Sequence, residues 1–219
     1  SEGFGKIVSG EVMPSGRTAD PYVSALSAGP WWNNFGDFKY TNTEDLNSDA
    51  SFFDPEGATP SFVNYVEGIY VGYKFYETAA DEGLINYDDE VVFPFGYGLS
   101  YTSFTKEMSS ITSDGTNLNF TVTVTNTGSV AGKDVVEIYS NPPYTNGGIE
   151  KASANLLDFE KTNELAPGES QTMEFSIPVE DLASYDYQTN GCYVLEAGDY
   201  IISANNDSHN VADSETYTV

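Results

Sequence analysis

Hydrophobic and polar residues alternate one for one in "NLNFTVTVTN", where Leu118, Phe120, Val122 and Val124 share one face. A period of two is that of a half-buried strand, and the turn residues from Asn126 to Gly128 close it. The period returns in "SQTMEFSIP", which sets Met173, Phe175 and Ile177 on one face. "KDVVEIYS", "GCYVLE" and "GDYIISAN" are further short strands, each bounded by Gly, Pro or Asn. Turn chemistry stands at "LAPGES", Leu165 to Ser170, and at "LEAGDY", Leu195 to Tyr200. Short strands at this spacing over residues 103–219 predict a mostly β fold, an antiparallel sandwich of immunoglobulin-like build.

Ahead of Tyr101 the pattern is irregular. Phe4, Ile7 and Val8 fall at helical spacing and predict a short helix that stops at Gly10. Pro14 and Gly16 then impose a turn and leave Arg17 projecting from the extended segment that follows. From Ala28 to Pro60 no period holds, and the stretch reads as a long loop rich in rings, Asn and Asp. Loops of that length are usually functional or mobile, so Trp31, Trp32, Phe35 and Phe38 carry two readings: packing onto the rest of the protein, or a platform facing a sugar. Val66, Ile69, Tyr70, Tyr73 and Tyr76, at steps of three and four, predict an amphipathic helix after Gly68 with a tyrosine stripe in the core. Glu67 also has two readings, a capping or backbone-bonding group or an acceptor for sugar hydroxyls. An acidic connector leads to "FPFGYGLSYT", where Phe93, Phe95 and Tyr97 alternate with Gly96 and Gly98. Rings and bare backbone so close together read as a structural joint, since glycine permits conformations and approaches that a Cβ blocks.

Eight Lys and Arg against 34 Asp and Glu give a formal charge of −26, which repels nucleic acid and anionic membrane surfaces. With 39% hydrophobic and 14% aromatic residues the chain has the material for a core. The single cysteine, Cys192, cannot form an intramolecular disulfide and is expected in the core. The single histidine, His209, lies in the polar run "ANNDSHNVADSE" and is expected to be a solvated loop residue. Ser-His-Asp and multi-histidine zinc chemistry therefore lack their parts, and no metal or cofactor is expected. No apolar run reaches the ~18 residues of a membrane span. The opening lacks Met and a basic-then-apolar leader, so the chain reads as a piece of a longer polypeptide, soluble, with an extracellular or cytoplasmic compartment left open.

Six stretches come in a familiar order: "GEVMPSGR", "YVEGIYVGYKFYE", "FPFGYGLSYTSF", "VTVTNTGSVAGKDVVEIY", "LAPGESQTMEFSI" and "LEAGDYIISA". Together they resemble glycoside hydrolase family 3, the β-glucosidase-type enzymes, over most of the chain, with the loop from Trp31 to Pro60 least supported. The resemblance implies that residues 1–102 are the C-terminal portion of the family's α/β/α sandwich domain, with an interdomain linker. Residues 103–219 would be its fibronectin type III-like domain. It also implies a (β/α)8 barrel elsewhere that carries the nucleophile; a barrel takes ~250 residues, so the nucleophile is expected outside this chain. "SEGFG" is similar to the context of the family's acid/base glutamate, but Gly5 and Lys6 stand where Asp-Arg would follow, and Glu2 is not taken as catalytic. Met13 replaces an Asn that the family often has before that proline. Catalytic residues are thus expected to be none, and the substrate, a β-linked oligosaccharide or glycoside, is expected to meet the barrel. The implied chemistry is the retaining two-carboxylate route. A homo-oligomer stays open. The alternative reading is a non-catalytic carbohydrate-binding or surface-interaction module built on Trp31, Trp32 and Phe35.

Overall fold

The computed structural model describes residues 2–34, 36, 38–41 and 61–219. Phe35, Asp37 and residues 42–60 lie outside them. Helix α1, Glu2–Val8, forms where the spacing predicts, and Gly10 follows at φ +77°. None of its side chains is buried. Strand β1, Tyr22–Val23, precedes a 3-10 turn at Pro30–Asn34 that carries both tryptophans.

Helix α2, Tyr73–Asp81, begins later than the apolar spacing predicts. Gly68 and Gly72 both adopt positive φ, at +58° and +61°, a left-handed conformation that cannot continue a right-handed helix. Val66 and Ile69 therefore lie in non-helical chain and are exposed, while Tyr76 is fully buried. Tyr76 joins Tyr87 of the one-turn helix α3, Tyr87–Glu90, and Val91 of strand β2, Val91–Phe93, in a small core. β2 pairs antiparallel with β1.

Past residue 103 the chain is a sandwich. Strand β5, Asn117–Asn126, is the centre of one sheet, flanked on one side by β3, Phe104–Met108, and β4, Thr112–Ser113, and on the other by β8, Ser170–Pro178. The second sheet has the order β12-β11-β6-β7, from Val211–Thr218, Asp199–Asn205, Val135–Asn141 and Asn155–Lys161. Register places Leu118 opposite Ile177, Phe120 opposite Phe175 and Val122 opposite Met173, all facing Val136, Ile138, Ile202 and Ala204 of the other sheet. Each large member of this core is worth ~1.5–3 kcal/mol of burial. A separate hairpin, β9 (Ser184–Asp186) with β10 (Cys192–Val194), has no layer over Cys192. The expected core cysteine is an exposed thiol.

Strand β6 is buried on both faces: Val136 and Ile138 point into the sandwich, and Val135, Glu137 and Tyr139 point the other way yet are also covered. What covers them is α2 and the chain around residues 94–98, laid on the outer face of the second sheet. This seam carries most of the buried charge.

Candidate functional site

Three stretches meet at the seam. The extended segment after Pro14 is bracketed to the glycine-rich turn by two backbone bonds, Thr18 N–H to Tyr97 O at 2.8 Å and Gly96 N–H to Thr18 O at 2.9 Å. Gly96 sits at φ +82°, and a Cβ there would land on the Glu137 carboxylate. A Cβ on Gly98 would come 2.6 Å from the carbonyl oxygen of Gly16. Phe95 lies tilted against Tyr73 of α2 with ring centres 4.9 Å apart, and the Tyr73 ring stands edge-on to Tyr139 of β6 at 5.8 Å. Phe93 instead contacts Tyr22 and Tyr97 along the β1–β2 ribbon and is partly exposed. Within the aromatic turn, then, Phe95 and Gly96 touch the sandwich, and Gly98 touches the Arg17 segment.

Arg17 does not project into solvent. Its guanidinium pairs with Asp134 and donates to the backbone oxygens of Gly96 and Asn206. Lys106 of β3 reaches the other oxygen of Asp134 at 2.7 Å and also donates to Asn206. The Lys106 side chain is 1% exposed, and burial holds its pKa below the ordinary lysine value, against the pull of Asp134. A single carboxylate thus anchors two cations from opposite sides of the seam.

A second carboxylate, Glu77 of α2, accepts from the Tyr87 hydroxyl at 2.8 Å, the Ser208 hydroxyl at 2.8 Å and His209 Nδ1 at 2.9 Å. The His209 ring lies flat on Tyr87, with ring centres 3.6 Å apart. The hydrogen bond to Glu77 raises the His209 pKa. His209, expected as a solvated loop residue, is a tie across the seam: Asp207 accepts the backbone N–H groups of His209 and Asn210 and turns the loop toward α2. A third carboxylate, Glu137, is pushed up to about 7 by burial, with the Tyr139 hydroxyl bonded to it at 2.8 Å.

Chemically these groups hold rather than react. Glu77 spends its oxygens on three protein donors, and Glu137 is closed over by Gly96. Glu2 lies on the surface of α1 and pairs with Lys6 at 3.0 Å. Among the described residues no group of His, Cys, Asp or Glu is placed to hold a metal ion, and no helix is long and apolar enough to cross a membrane.

The residues with a sugar-facing reading lie elsewhere. The Trp31 indole packs on Gly29 so closely that a Cβ there would overlap it. Trp32 is half exposed. One oxygen of Glu67 accepts from the Asn34 side chain at 2.9 Å, and the other is buried without a partner. Asn34, buried at the end of the tryptophan turn, also accepts the Val66 N–H at 3.0 Å. The structure therefore brings Glu67 to the turn that carries Trp31 and Trp32, through an asparagine that no periodicity marked out. Lys106, Asp134 and Glu137 were missed as well. Their only signal is charge at strand positions that neighbouring hydrophobics make look buried.

A fibronectin type III-like domain family matches residues 134–208. Over 99% of its length the chain is 35% identical to a β-glucosidase of Ruminococcus albus, of which it covers 20%. A thermostable β-glucosidase B of Acetivibrio thermocellus is 32% identical over 97% of the chain, which covers 24% of that protein. Among solved structures, β-glucosidase 3B of Thermotoga neapolitana superposes over 99% of this chain and 26% of its own, with a TM-score of 0.76 and 32% identity. The chain thus spans about a fifth to a quarter of the length of the relatives it matches.

Proposed function

From the premise that the chain is part of a glycoside hydrolase family 3 protein of the β-glucosidase type, carrying its fibronectin type III-like domain, we propose that it is a non-catalytic scaffold. Residues 1–102 are the end of an α/β/α domain and residues 103–219 the module that clamps it. The observation that carries this reading is the distribution of uncovered apolar side chains. Phe4 is 70% exposed, Tyr65 78%, Leu84 77% and Leu99 67%; among the described residues eighteen exposed large hydrophobics lie ahead of residue 103 and nine in the longer sandwich half, Tyr193 at 73% among them. Apolar side chains in that number mark a surface that further protein covers. α1, an amphipathic helix with nothing buried, is its plainest element.

The chemistry of the whole protein then follows the two-carboxylate retaining route on terminal β-linked sugars, with the carboxyl groups ~5–5.5 Å apart across one ring. No motif in this chain supplies that pair. Glu77 is engaged in ties to Tyr87 and, across the seam, to Ser208, and Glu137 is bonded to Tyr139 of its own strand beneath Gly96. The test is aryl β-glucoside hydrolysis by the purified chain and by the full-length protein. Turnover is expected from the second alone; turnover by the chain, or none by the full-length protein on any aryl glycoside, would overturn the reading.

A sugar-binding role for the tryptophan turn has one observation in its favour, the half-exposed Trp32 on the turn whose Asn34 is bonded to Glu67. It predicts heat on calorimetric titration with cellobiose that Trp32→Ala abolishes.

A further inference from the structure

Two asparagines precede a glycine, Asn146 and Asn190, and both stand in the triplet Thr-Asn-Gly. The side-chain amide carbon of such an asparagine is open to attack by the next backbone nitrogen, because glycine has no Cβ to stand in the way. In sequence the two sites are equivalent; the structure makes them different. Asn190 is held. The Asp186 carboxylate accepts the backbone N–H groups of Gln188, Thr189 and Asn190, and the Asn190 side-chain amide at 2.7 Å. The N–H of Gly191, whose nitrogen would attack, donates to the Asp186 carbonyl at 2.8 Å. The backbone donors, Thr189 foremost, keep the Asp186 carboxyl below its ordinary pKa and so ionised, beside an amide on which further negative charge would have to develop.

Asn146 has no such restraint. It lies in an exposed turn at residues 145–148, between β6 and β7, where Gly148 N–H donates to Thr145 O at 2.8 Å. Neither its side chain nor the Gly147 N–H makes a hydrogen bond to a described residue. Gly147 sits at φ +82°, and a Cβ built there would meet nothing within 4 Å. We propose that Asn146 is a site of spontaneous deamidation, with water as the co-reactant. The Gly147 nitrogen gives its proton to base and bonds to Cγ of Asn146. The Cγ–Nδ2 bond breaks, and the amide nitrogen leaves as ammonia after taking a proton from solvent. Water then opens the cyclic imide at either carbonyl, and nothing is oxidised or reduced. Opening at Cγ leaves aspartate; opening at the backbone carbonyl leaves isoaspartate, with the main chain running through Cγ. Either product adds one negative charge to a chain already at −26. Lys151 donates to Pro143 O at 2.6 Å and pairs with Glu196 at 2.6 Å, which pins the base of the loop and keeps the change local.

The test is incubation of the 219-residue chain at mildly alkaline pH, read by peptide mass spectrometry and by methylation with an isoaspartyl methyltransferase and S-adenosylmethionine. Asn146 should convert at least about tenfold faster than Asn190 in the folded chain, with the melting temperature unchanged. In urea the two rates should come within about threefold of each other, because the triplets are the same. Asn146→Gln, whose longer side chain must close a larger ring, should remove most of the methylation. Asp186→Ala frees Asn190 and should speed its conversion about tenfold or more. Asn190 converting as fast as Asn146 in the folded chain, a tenfold difference that persists in urea, methylation unaltered by Asn146→Gln, or Asn190 unmoved by Asp186→Ala would each overturn the proposal.

Discussion

Replacing Asp134 by Asn keeps the size of the side chain and removes the one carboxylate that faces both Arg17 and Lys106. Arg17 is partly exposed and can lean on water and on its two backbone acceptors. Lys106 cannot, with a side chain 1% exposed. Removing one partner of a buried ion pair typically costs ~3–5 kcal/mol, because the other charge stays behind unpaired. An upper bound follows from lysine itself. A group of ordinary pKa 10.5 can escape the penalty at pH 7 by losing its proton, which costs about 1.4 kcal/mol per pH unit, or ~5 kcal/mol in all. Urea unfolding should therefore show a loss of ~3–5 kcal/mol, a midpoint lowered by ~1.5–2.5 M at a typical slope of ~2 kcal/mol per molar. Adding Lys106→Met to Asp134→Asn removes the orphaned ammonium and should recover most of the deficit. Unfolding of Asp134→Asn within ~0.5 kcal/mol of the parent chain, or a double variant no more stable than the single one, would refute an uncompensated buried ammonium at Lys106.

Two further substitutions probe the same seam. Glu137 has a folded-state pKa of about 7 against an ordinary 4.5, so its ionised form is penalised: the cost is absent below pH 4.5, grows as pH rises to about 7 and is complete above it. The parent chain should thus lose ~3 kcal/mol relative to Glu137→Gln across that window, and parallel stability-versus-pH curves for the two would refute the assignment. Gly98→Val drives a branched side chain into the carbonyl of Gly16, 2.6 Å from where its Cβ must stand. It should lower the melting temperature and open the seam to limited proteolysis; unchanged digestion would show that the aromatic turn does not hold the halves together.

The sandwich was legible because its information is local. In β5 alternation alone assigns Leu118, Phe120, Val122 and Val124 to the core, and all four are buried, since a strand's side chains can point only two ways. α1 was legible for the same reason. The start of α2 was not, because two glycines at positive φ override an apolar spacing that helix geometry would otherwise accept. The edge strand β12, "VADSETYT", carries too few apolar residues to stand out, and its place comes from pairing with β11.

The residues of the seam show the limit of such reading. Glu137 in "VVEIY", Lys106 in "FTKEM" and His209 in a polar loop are each unremarkable in sequence. Each acquires its role from a partner 28 to 132 positions away: Lys106 from Asp134, Glu137 from Gly96, His209 from Glu77. By itself the sequence determined the β-sandwich, its core face and the likeness to family 3, all properties of short stretches and their order. The tertiary structure decided which charges are buried and what neutralises them, because burial and electrostatic pairing depend on distances that no local period encodes.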